Sequence, residues 1–243
     1  MKCKSALLIL LGVVALPLAA QEPVITIDQE PHHHAMIHNA YVSVHRIEVG
    51  PNDGFLMHRH DEDEVSVVIT GGTSIGRNLG QPETPPRTSV SGSVGYGRSG
   101  RSHATRNVGQ TTIHNVASSL LIPQGTLRNL CFEQVKDQPL NCPGGNSDDP
   151  KAPFIIQPRF ETDQTRVTYT RVRPQQSAPV GDPDRERLIV AIDEIVVTGG
   201  GHGGEKVLRA GDIVWLTAKD APAMLKNIAG KEARIVTLAF KPI

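Results

Sequence analysis

Short alternating runs, each cut off by glycine or proline, are what most limits the folds open to this sequence. Residues 41–49 alternate apolar and polar side chains as a half-buried strand does, and residues 65–69 form a second run ending at Gly71-Gly72. Residues 166–172, 188–192, 213–216 and 233–240 read the same way. No stretch carries a long helical repeat, and 23 Gly and 18 Pro among 243 residues supply frequent turns. The expected fold is all-β. The 25 basic residues balance the 25 acidic ones without forming a basic block, and aromatics are only 4%. Both observations argue against a nucleic-acid partner, which needs an electrostatic footprint or stacking platforms.

The first 20 residues read as an export signal. Lys2 and Lys4 precede an apolar run over 6–18, and Ala19-Ala20 supplies small residues before Gln21, where cleavage is expected. About 13 apolar residues cannot cross a hydrocarbon core of ~30 Å, so a membrane anchor is not expected. No other segment is apolar enough to span. The mature protein is expected in the periplasm or secreted. Two cysteines then remain, Cys131 and Cys142, with Pro139, Pro143 and Gly144 close by. In an oxidising compartment they can staple a loop; the alternative is two free thiols.

The strand pattern occurs twice, from about residue 41 to 123 and from about 166 to 243, with turn formers over 141–150 between. Laying the halves over each other puts Val65 on Leu188 and Gly92 on Gly211. An internal repeat of strand-rich units implies two similar β domains. The expected organisation is a domain over 21–125, a linker over 126–160 and a second domain over 161–243.

The chemistry gathers in the first domain. His58 and His60 are two apart, so an extended chain projects both imidazoles to one side. Glu64 follows closely, and His103 arrives from far away. Three neutral imidazoles and a carboxylate suit one divalent transition metal, such as Mn, Fe, Ni, Cu or Zn. His58-Arg-His60-Asp-Glu-Asp-Glu64, six residues, then Gly71 resembles the first motif of the cupin superfamily. Gly92, five residues, Arg98-Ser-Gly100, two residues, His103, three residues, Asn107 resembles the second. Arg98 departs from the family's usual proline, and the glycine before His58 is displaced. The resemblance implies two cupin-type (jelly-roll) β-barrels, a double-stranded β-helix repeated. It also implies metal ligation by His58, His60, Glu64 and His103, and homodimerisation through remaining strand edges. In the overlay, Gly181, Pro183, Arg187 and Pro222 meet those four positions, so the second domain is expected to carry no metal.

The remaining candidates have duller readings. The cluster His32-His33-His34 with His38 reads as a polar lead into the first strand, and His45 as a surface residue. His114 reads as a core histidine or a partner to the site; Tyr96 and Arg106 lie near it in sequence, without a firm inward assignment. His202, among glycines, reads as a turn. No nucleophile elbow and no paired Cys-x-x-Cys occur. Two functions are consistent with these residues. One is an exported metalloenzyme, dioxygenase or isomerase in type, acting on a small organic molecule. The other is a non-catalytic module that binds or senses a small ligand.

Overall fold

The computed structural model describes residues 22–143, 149–201, 204–220 and 222–243. The expected export signal, with its cleavage point before Gln21, and His202 lie outside the described residues. Among the described residues nearly all regular structure is strand, relieved by a single 3₁₀ turn at Ile27–Gln29. No described helix is long and apolar enough to cross a membrane.

Four sheets build two sandwiches. In the first half, one sheet orders Ile25–Thr26, His58–His60, Arg101–Asn107, Thr73–Asn78 and Arg87–Thr88. The facing sheet orders His33–His38, Val42–Val49, Ile113–Leu120, Asp63–Thr70 and Val94–Gly97. The second half repeats this with a six-stranded and a four-stranded sheet. Arg128–Asn129 and Phe154–Glu161, from the stretch expected as a linker, are strands of its six-stranded sheet. Cys131 and Cys142 between them are joined in a disulfide.

Hydrogen bonding shows the repeat directly. The buried Asn107 donates through Nδ2 to the carbonyls of Val49 (3.0 Å) and Thr111 (2.8 Å) and accepts from Gly109 N (2.9 Å). Asn227 donates to Val172 and Lys231 (both 2.8 Å) and accepts from Ala229 N (2.9 Å). Counting back from these asparagines corrects the overlay by one position. Val180 N donates to Ala223 O (3.0 Å), so Val180 and Ala223 occupy the places of His58 and His103. Arg187 does stand for Glu64: Glu64 pairs with Gly97 and Ser119, and Arg187 with Leu216 and Ala239.

The interiors differ accordingly. The second sandwich is filled with hydrocarbon, including Val180, Ile189, Leu216, Ala223 and Leu225. The first holds only a small apolar cluster of Ile47, Val49 and Ala117 with Phe55. A larger core lies between the halves, where Val42, Val44, Val65 and Val116 meet Val167, Leu188, Leu238 and Phe240. Strand Val42–Val49 is therefore covered on both faces, and this overturns the surface reading of His45. That side chain is 1% exposed and its Nε2 lies 3.0 Å from Asp28 Oδ1.

Candidate metal centre

The site grows from one pair of strands. His58–His60 is buried at its two histidines and exposed at Arg59, as alternation demands. It runs antiparallel to Arg101–Asn107, with His58 directly across from His103 and His60 across from Arg101. Three imidazoles thus meet on the inner face, and their nearest ring nitrogens all lie within 4.8 Å of one another. Nε2 of His60 lies 3.1 Å from Nε2 of both His58 and His103.

These nitrogens cannot all satisfy each other. His58 Nδ1 donates to the Leu56 carbonyl at 2.9 Å, which leaves its Nε2 a bare lone pair. His60 Nδ1 lies 3.0 Å from Glu64 Oε2 and 3.4 Å from Arg101 Nη2, away from the cluster, so Nε2 is the nitrogen it presents to the other two rings. Lone pairs aimed at one another repel unless a cation sits among them. Adjacent ligands at about 2.1 Å on an octahedral ion are separated by about 3.0 Å, so the spacing fits a divalent metal. Protonation of His58 and His103 does not compete near neutrality. Burial pushes His58 down to about 4. Burial, with the neighbouring His58, His60 and Arg101 charges, pushes His103 down to about 3. Among the described residues no second group of three such donors is found.

Glu64 is 7% exposed and comes from the opposite sheet. Its carboxylate does not join the three nitrogens but spans two other groups. Oε1 accepts from Arg101 Nη2 at 3.0 Å, while Oε2 lies against His60 Nδ1. Burial alone would raise its pKa; contact with His60 and Arg101 holds it well below the usual carboxylate range.

Arg98, which stands where the family has proline, fixes its turn by other means. It donates to Asp63 Oδ2 at 2.9 Å and to the Gly125 carbonyl at 3.0 Å, while Asp63 Oδ1 accepts from Ser99 N at 2.8 Å. Tyr96 donates to the same Asp63 and packs against the core between the halves, not in the site. Arg106 is exposed and lies 3.6 Å from Glu83.

A cavity of about 230 Å³ opens beside the histidines, lined on its polar side by His33, Glu64, Ser66, Arg101 and Asn115. Of the His32–His34 cluster, His33 is the member that reaches the site: its ring is buried and lies 4.9 Å from that of His58. Its Nδ1 is 2.6 Å from Glu30 Oε2. Glu30 is itself buried and accepts from the backbone of His32 (2.8 Å) and Leu56 (3.3 Å). Burial would raise Glu30, but its bonds to His33 and His32 hold it at about 2. Glu30 and Arg101 carried no expectation from sequence, and His33 only that of its polar cluster. Only Arg101 had a usable signal, two positions before His103 on one strand and so on its face.

No protein-family model and no curated protein matches the sequence. Solved structures do match by fold. AerE from Microcystis aeruginosa aligns with a TM-score of 0.58 at 12% identity, covering 88% of this chain and 99% of that one. A cupin 2 conserved barrel domain protein from Leptotrichia buccalis aligns at 0.53 and 8% identity, covering 86% and 88%. Salicylate 1,2-dioxygenase from Pseudaminobacter salicylatoxidans aligns at 0.58 and 11% identity, covering 86% and 76%. Two stacked jelly-roll sandwiches, their shared asparagine bonds and these neighbours together establish that the chain has the cupin fold in its two-domain, bicupin form.

Proposed function

We propose that this chain is an exported mononuclear metalloenzyme that acts on a small organic molecule in the cavity beside its three histidines. The observation that carries this is the convergence of the Nε2 atoms of His58, His60 and His103, with the other nitrogen of His58 bonded to the Leu56 carbonyl and that of His60 turned away toward Glu64. Those three residues would hold one divalent transition metal, with the Glu64 carboxylate behind His60. Such an ion supplies a Lewis acid and, as iron, manganese or copper, a centre for dioxygen activation.

The chain's own residues supply the rest. Glu64 orients His60 through Nδ1, as carboxylates commonly do for metal-bound imidazoles. The Glu30–His33 pair places the His33 proton on Nδ1 and leaves Nε2 as an acceptor, able to hold a proton taken from a substrate in the cavity. Phe55 and Ile47 wall off water on one side. A cavity of about 230 Å³ is small, below the roughly 300–1,000 Å³ of drug-sized sites, and suits a single-ring or shorter molecule. Structures of the salicylate dioxygenase neighbour include its adducts with gentisate, so hydroxylated aromatic acids are the first substrates to try.

The test is anaerobic reconstitution with Fe(II), Mn(II) or Cu(II), metal analysis, and oxygen uptake with salicylate, gentisate, catechols and diketones. One metal per chain and uptake abolished by His103→Ala are expected. Rearrangement of a compound without oxygen uptake points to an isomerase. A ligand bound tightly but recovered unchanged from the metal-loaded protein supports a binding module instead. Failure to retain any divalent metal sinks the reading.

A further inference from the structure

Gly97 and Glu64 are partners across adjacent strands, and Arg101 shares its strand face with His103. All three residues therefore meet inside the first sandwich. The Arg101 guanidinium lies directly over Gly97: a Cβ added there would fall 2.5 Å from both Cζ and Nη2. Gly97 does not adopt the left-handed backbone that calls for glycine, so its bare Cα is needed for room rather than for conformation. Seated there, Arg101 donates from Nη2 to Glu64 Oε1 at 3.0 Å, and the other carboxylate oxygen meets His60 at Nδ1, the nitrogen remote from the cluster. Neither oxygen belongs to the converging set.

We propose that Arg101, seated on Gly97, is a positioning residue that keeps Glu64 in an outer role behind His60, so that the centre binds metal through three nitrogens. Withdrawing the guanidinium lets the carboxylate swing in as a fourth, anionic donor. The inference rests on the metal reading above. It adds that one ion pair sets the coordination number. A three-nitrogen centre keeps more positions open for substrate, whereas a fourth donor tightens metal binding and closes one of them.

Two substitutions move the guanidinium by different routes. Arg101→Gln removes its charge. Gly97→Ala displaces it while leaving every charge in place, and the atoms that must yield are the far end of a flexible side chain. Co(II) is the probe, read by its visible absorption and by competition-measured affinity on the full chain. Melting curves for each variant establish that it folds; should Arg101→Gln fail, Gly97→Ala carries the test. Both substitutions are expected to change the Co(II) spectrum and tighten binding about tenfold, the size of effect that outer partners of metal ligands commonly have. In an E64Q background both effects should vanish.

Three results overturn the proposal. One is a Gly97→Ala protein whose Co(II) spectrum and affinity match the wild type. Another is tightening by Arg101→Gln that persists with E64Q, which marks a simple charge effect. The third is an E64Q protein that loses Co(II) as completely as His103→Ala, which makes Glu64 a ligand from the outset. A folded wild-type chain that binds no Co(II) would remove the metal reading and this inference together.

Discussion

His114 of the first half packs so closely on Gly211 of the second that any side chain at 211 would strike the imidazole. The contact has a counterpart across the junction. Gly92 lies under Tyr169, and Arg234 donates to Ser91 O (3.1 Å) and Ser91 Oγ (2.9 Å). Each half thus offers a glycine turn to the other's sheet. Both glycines have positive φ, +85° at Gly211 and +89° at Gly92, so two penalties coincide. Gly211→Ala and Gly92→Ala should each cost about 1–3 kcal/mol through backbone strain alone, with the clash adding to it. Urea denaturation checks this; a loss below about 0.5 kcal/mol would show that the turns are free to shift.

One metal per chain is expected, not two. Val180 and Ala223 fill the second half where His58 and His103 stand in the first, and hydrocarbon cannot ligate. His58→Ala, His60→Ala or His103→Ala should each lower metal affinity at least about tenfold, since a lost ligand costs no less than a lost outer partner. Metal analysis after dialysis reads both numbers.

Glu30 sets an acid limit on stability. Its folded pKa of about 2 lies below the ordinary 4.5, so its contribution is complete above that value and drains away as pH falls toward 2. Glu30→Gln turns an amide N–H toward groups that themselves donate, from His32, His33 and Leu56. The loss should be about 1–3 kcal/mol at neutral pH. Melting temperature should also depend less on pH between 4.5 and 2 in the variant than in the wild type. Parallel profiles for the two proteins would refute this.

Asn107→Ala and Asn227→Ala orphan the same set of backbone groups at buried positions. Each should cost about 1–3 kcal/mol, and the two costs should agree to within about 1 kcal/mol. Calorimetry should find one transition in both variants, because the core between the halves couples them.

Much of this was legible in sequence where structure is local. Alternation marked the strands, the two-residue spacing of His58 and His60 placed both on one face, and the resemblance to the second cupin motif implied that His103 joins them, as its pairing with His58 shows. What failed was non-local. Alternation on residues 42–49 cannot tell one covered face from two, so His45 looked solvated. Glu30 and His33 reach the cavity because the N-terminal segment folds back beside Leu56 and His58, and no short pattern encodes that return. The overlay slipped by one at His58 and at His103 because the loops of the two halves differ in length. Arg101 was overlooked for a related reason: its partner Glu64 sits on the opposite sheet.

The apolar layer shared by the two sandwiches has a practical consequence for anyone cutting this protein down. A fragment ending after residue 125 would retain every histidine of the centre yet leave Val42, Val44, Val65 and Val116 facing water. Such a fragment should aggregate. The half without the histidine cluster is the one that covers this apolar face of the other.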